Sequence, residues 1–211
     1  MKLFKGLNTK IPVCLPGFEK VNRYLDETRD NQVVAKIVPG EFYITRRKEM
    51  ITTVLGSCIA VCAYDLKNRI GGMNHFLLPM IGGNGTATDW HVNGCGRYGD
   101  RAMKNLLSSM IKHGAQRHLI KIKVFGGGQI LASKGDVGGQ NIDFINEYIA
   151  SKQLTVVSMD VGDVFPRKVN FFPETGRVQV KKLKSLNNDT IFQREQNYEC
   201  ELTHRPLPGS S

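Results

Sequence analysis

The chain has 211 residues, 41% of them hydrophobic and 23% charged, and 29 Lys and Arg against 19 Asp and Glu give a formal charge of +10. That length can bury a core without disulfide staples, and the composition is not that of a disordered or collagenous chain. No apolar run approaches the roughly 18 residues of a membrane-spanning helix, and the excess positive charge calls for an acidic partner.

Five cysteines, Cys14, Cys58, Cys62, Cys95 and Cys200, form an odd set without the close pairs of a secreted framework or zinc ribbon. The start, Met1 to Gly6, carries charge but no apolar stretch before a cleavage site. A reducing cytoplasm is the expected compartment.

Residues 1–37 mix Pro12, Pro16, Gly17 and scattered charges, and read as an N-terminal extension that drapes over the domain or stays partly mobile. The core is expected to start near Val38-Pro39-Gly40. Phe42 to Thr45 and Ile59 to Tyr64 are β-prone runs. Residues 81–96 are glycine-rich and aperiodic, the mark of a long surface loop. Ala102, Met103, Leu106, Leu107, Met110 and Ile111 follow at helical spacing, with Gly114 as a stop. Ile120, Ile122 and Val124 alternate with lysines in a strand that enters Gly126-Gly127-Gly128. A second helix is expected from Asn141, and strands at 155–159, 168–172 and 178–183, the last two joined by a turn at 173–176. A polar tail covers 186–211. Many strands, few helices and no regular βαβ alternation predict an α/β domain of the α+β type, strand-rich and layered, with mixed or antiparallel sheets flanked by helices, over 38–185.

The chemistry concentrates around Thr52 to Cys58 and Gly71 to Pro79. A thiol directly after Gly56-Ser57 at the mouth of a strand can be exposed to substrate, with backbone N–H groups of the bend facing the same space and able to hold an oxyanion. A strand, a turn around Lys67-Asn68 and a returning strand separate Cys58 from His75 by 17 residues, which brings the two together if the hairpin closes. Imidazole beside thiol generates a nucleophilic thiolate. In isolation a strand cysteine is more often a small core hydrophobe, and Cys62, which has no matching histidine, is read that way.

Thr52-x-x-Leu55-Gly56-Ser57-Cys58, Asn74-His75-Phe76-Leu77-Leu78-Pro79, Arg97-Tyr98-Gly99-Asp100-x-Ala102-Met103 and Lys123-Val124-Phe125-Gly126-Gly127-Gly128 occur in the order seen in CheD, the chemoreceptor glutamine deamidases. The chain resembles that family from about Val38 to Leu183. The resemblance implies a Cys-His-Thr triad that hydrolyses glutamine side chains on the receptors' cytoplasmic helices. Matched residue by residue, Cys58 is the nucleophile, His75 the base and Thr52 the group that orients the imidazole, with Gly56 and Ser57 as oxyanion support. It implies no cofactor and no metal. It also implies a CheC-type phosphatase as a possible partner, some methylesterase activity, and a layered fold like that of toxin glutamine deamidases. The segment Asp160 to Lys168 departs from the family's Gly-Arg-Lys ending by lacking the glycine before Arg167.

Two other readings come from different classes. A CheD-like interaction module would bind a CheC-type phosphatase or acidic receptor helices with little catalysis. A basic nucleic-acid-binding protein would account for the charge, but no recognised fold or aromatic motif accompanies it. Val164 to Ser185, with six basic residues and one acidic, is the densest basic stretch and the expected docking region for an acidic receptor helix. A zinc site is disfavoured because Cys58 and Cys62 would lie about 13 Å apart along a strand. His91, His113, His118 and His204 read as surface or loop residues.

Overall fold

A computed structural model describes residues 10–77, 98–130 and 136–184. The expected loop at 81–96 and the tail, with Cys95, Cys200, His91 and His204, lie outside them.

Among the described residues, ten strands form two mixed five-stranded sheets. The first has the order β1-β2-β4-β9-β10, built from β1 (Asn22–Asp26), β2 (Gln32–Lys36), β4 (Glu49–Leu55), β9 (Arg167–Phe172) and β10 (Arg177–Lys182). The second has the order β3-β6-β5-β7-β8, built from β3 (Phe42–Thr45), β6 (Ile70–Asn74), β5 (Ile59–Asp65), β7 (Lys121–Gly126) and β8 (Thr155–Val161). Each sheet has one parallel pair, β2 with β4 and β7 with β8, among antiparallel neighbours. The strand-rich α+β architecture is the one expected.

The sheets pack face to face, and helices α1 (Gly99–Lys112) and α2 (Val137–Lys152) cover the outer face of the second sheet. Strand alternation explains the layers. Tyr64 meets Phe171 of the first sheet, with ring centroids 6.3 Å apart. From the opposite face, Asn74 donates to the Met103 sulfur of α1 at 3.4 Å and Phe76 meets Phe144 of α2 edge-on. The helical stripe of α1 is buried at Ala102, Met103, Leu106, Leu107 and Met110, whereas Ile111, expected in it, is 41% exposed.

Residues 22–36, expected to belong to an N-terminal extension, form β1 and β2 at one edge of the first sheet. Ahead of them the chain folds back. Phe18 is buried and stands edge-on to Phe42 and Tyr43, while Arg23 and Arg47 hold the carbonyls of Pro12 and Val13. Helix α2 begins at Val137, a turn earlier than expected from Asn141. Asp136 caps it by accepting from the Gly139 N–H at 2.8 Å, so two glycines are carried inside its first turn.

Candidate active site

The expected hairpin is present: β5 and β6 pair antiparallel through Asp65↔Ile70, and an isolated bridge extends the ladder to Ile59↔Phe76. At that end stand Cys58 and His75, 3% and 1% exposed. Carried along the same register, Ala60 lies opposite His75 and Cys58 opposite Leu77. The thiol and the imidazole therefore share the face turned toward the first sheet, one diagonal step apart.

The backbone around Cys58 is held from the side of β7. Gly127 N–H donates to the Cys58 carbonyl at 2.8 Å and Gly128 N–H to the Gly56 carbonyl at 2.9 Å. Gly126 has φ +118°, and a Cβ there would run into the Cys58 carbonyl oxygen. The triglycine is thus a close backbone approach. Asn141 of α2, expected only as a helix start, has a role at this turn. Its fully buried amide donates to the Ser57 carbonyl at 3.1 Å and the Leu77 carbonyl at 2.9 Å, joining the cysteine turn to the strand that carries His75.

The hydroxyl facing the imidazole is that of Thr53, not Thr52. Thr53 Oγ1 lies 2.8 Å from His75 Nδ1 and donates to the Ile37 carbonyl at 2.9 Å. A hydroxyl has one proton, and the carbonyl can only accept it. The Nδ1 contact must therefore be N–H donating to Thr53, which in the neutral imidazole puts the lone pair on Nε2. Thr52, expected in this role, points to the other side of β4. It donates to Asn170 Oδ1 at 2.6 Å, beside a pocket of about 170 Å³ rimmed by Tyr24, Lys36 and Lys168. The reason is strand parity: Ile51, Thr53 and Leu55 face the second sheet, so Thr52 faces outward.

The other sequence candidates divide clearly. Cys62 is fully buried mid-strand and burial pushes its thiol far above the ordinary range, so it behaves as a packed hydrophobe. His113 caps α1, its Nδ1 2.8 Å from the Ser109 carbonyl, and His118 is exposed in a short turn. Within the basic stretch, Arg167 is fully buried and tied to Asp160 and the Gly162 carbonyl, which makes it a structural clamp on the β8–β9 turn. Arg177 stacks on Phe172 and Lys182 pairs with Asp163, while Lys168 and Lys181 are exposed.

Comparison with known proteins gives the family. The family model for CheD chemotactic sensory transduction matches residues 77–182. A probable chemoreceptor glutamine deamidase CheD of Halorhodospira halophila is 43% identical over 98% of this chain and 95% of its own length. The chain belongs to the CheD family. Another CheD relative, from Hahella chejuensis, is 41% identical over 94% of the chain and 92% of its own length. A CheD 1 protein of Shewanella oneidensis is 45% identical over 89% of the chain and 90% of its own length. Both carry the same deamidase name. The matched family segment leaves out Cys58 and His75, so the CheD assignment of the residues before 77 rests on the near full-length relatives.

Proposed function

We propose that this CheD protein hydrolyses glutamine side chains on the cytoplasmic helices of chemoreceptors, and does so in the cytoplasm, with Cys58 as nucleophile, His75 as acid and base, and Thr53 as the positioning group. The observation that carries the reading is the Ile37–Thr53–His75 chain of hydrogen bonds on the face shared with Cys58.

The chemistry follows from these groups. His75 Nε2 takes the Cys58 proton and the sulfur attacks the carboxamide carbon. The oxygen's developing charge falls to backbone N–H groups of the Gly56 to Cys58 turn, whose peptide planes are fixed by the bonded Gly56, Ser57 and Cys58 carbonyls. The tetrahedral adduct collapses as its C–N bond breaks, and nitrogen leaves as ammonia with the proton from His75. A thioester remains. His75 then takes a proton from water, hydroxide adds to the thioester carbon, and the C–S bond breaks to give glutamate and the free thiol. Thr53 carries no charge, so it fixes the tautomer without the electrostatic support a carboxylate would give the imidazolium. A glutamyl methyl ester fits the same steps, with methanol as leaving group. No cofactor is called on. A CheC-type phosphatase remains the family's expected partner.

Mass spectrometry of a receptor cytoplasmic fragment tests the reading. Wild type should add about 1 Da per converted glutamine, and Cys58→Ala should lower the rate by at least about 10³-fold. Equal conversion by both proteins would remove Cys58 from the mechanism, and no conversion by either would leave the interaction-module reading in its place.

A further inference from the structure

At the opposite end of the β5–β6 hairpin, roughly 20 Å from Cys58 along β5 at about 3.3 Å per residue, the turns of both sheets enclose a second cavity of about 310 Å³. Its rim holds Arg46, Arg47, Lys48 and Arg69 against one carboxylate, Glu174. All four cations are exposed, and among the described residues none is in an ion pair. Each of two guanidiniums is nonetheless anchored by one N–H. Arg46 donates to the Asn68 carbonyl at 3.0 Å and Arg47 to the Val13 carbonyl at 3.1 Å, leaving further donors of each fork for a ligand.

Two more features point to a ligand. Arg69 has φ +51°, a left-handed conformation that Gly or Asn adopts at lower energy, so the turn carries an arginine at a conformational cost of about 1–2 kcal/mol. Leu66 is 50% exposed within this lining, beside the buried ring of Pro173. An exposed apolar side chain among charged ones is the composition of a protein-docking patch. Among the described residues no aromatic side chain lines the cavity, so they offer no platform on which a nucleic-acid base would stack.

We propose that this cavity is a docking site for an acidic protein segment, which places carboxylates against Arg46, Arg47, Lys48 and Arg69 and an apolar side chain against Leu66. Its distance from the thiol makes it an anchoring site and not part of the glutamine pocket. It stands independently of the deamidase reading, because binding here needs neither Cys58 nor turnover.

Fluorescence anisotropy with a fluorescein-labelled peptide, Glu-Glu-Glu-Leu-Glu-Glu-Glu, tests it on the full chain at low salt. Arg46→Gln/Lys48→Gln/Arg69→Asn should raise Kd about tenfold, and the equally charged Lys10→Gln/Lys20→Gln/Lys152→Gln less than about twofold. Leu66→Ser should raise it about threefold. Equal losses in the two triple variants, or a loss in neither, would overturn the site by assigning binding to net charge or to another surface. A labelled octauridylate that binds wild type more tightly than the peptide, and is indifferent to Leu66→Ser, would overturn the choice of a protein partner. Thermal melting checks that the triple variant is folded. If it is not, Arg69→Asn alone, which suits the left-handed turn, should still weaken the peptide about twofold, and an unchanged Kd would count against the proposal.

Discussion

The two ends of the β5–β6 hairpin are built on opposite principles. At the end with Cys58 and His75 the side chains are buried, few carry charge, and the backbone is pinned by neighbouring backbone and by one buried amide. At the other end four cations stand exposed on turns, anchored only in part. Attack on an amide requires atoms held within tenths of an ångström, which tight backbone contact supplies. Recruitment of a partner requires charge that reaches into solvent, where precise placement matters less than sign and density. On the two proposals above, one hairpin separates positioning from recruitment by its own length.

The largest effect that would sharpen this contrast comes from Gly126. A Cβ there collides with the Cys58 carbonyl, so Gly126→Ala should cost about 2–4 kcal/mol and lower the melting temperature, with activity lost ahead of the fold. Gly162, at φ +79° with nothing within 4 Å of the place a Cβ would take, provides the control. Gly162→Ala should cost only about 1 kcal/mol. Similar melting shifts for the two would mean that the nucleophile turn is less tightly fitted than its contacts imply.

Next in size is the threonine pair. Thr53→Val removes the acceptor for His75 Nδ1 and should lower kcat roughly 10–100-fold with KM little changed. Thr52→Val, which loses the contacts to Asn170 Oδ1 and the Val169 carbonyl and none to His75, should stay within about threefold. The reverse ranking would return the orienting role to Thr52.

The smallest effect belongs to the recruiting end. Burial opposes the charge of Asp65, but hydrogen bonds from the Asn68 amide, the Gln116 N–H and the turn backbone outweigh it and hold the carboxyl below its ordinary range. A depressed folded-state value gives stability that is present above the unfolded value near 4 and is lost as pH falls through the folded value. Asp65→Asn should therefore cost about 1 kcal/mol at neutral pH, with the gap to wild type closing as pH drops below about 4 in urea titrations. A gap that widens on acidification would reverse the assignment.

Much of this was legible in the sequence where periodicity was strong. The α1 stripe, β5, β7 and the turn at Pro173 to Gly176 follow directly from apolar spacing and turn residues. β1 and β2 were not, because Asn-Arg-Tyr-Leu-Asp at a half-exposed edge carries little apolar signal, and its pairing with distant β4 is invisible locally. Cys58 and His75 could be named from spacing and family pattern, but the threonine could not. The bend at Gly56-Ser57 breaks the alternation count between the cysteine and β4, so which of two adjacent threonines faces inward is decided only once the sheets are stacked. Asn141 and the cationic cavity escaped for a shared reason. Each joins segments far apart in the chain, Ser57 with Asn141 and Arg46 to Lys48 with Arg69 and Glu174, whereas the contiguous run of basic residues proved partly committed to structural ties.

The N-terminal fold-back has a practical consequence for anyone shortening this chain. A fragment cut to residues 77–182, the span the family model matches, would lack Cys58, His75 and the strands β1 to β6. Even a cut at Val38 would strip β1, β2 and the Phe18 wedge and leave β4 as a bare border. An unpaired strand of seven residues, including Met50, Ile51, Val54 and Leu55, is a template for pairing with its copies, so such a fragment should precipitate instead of fold.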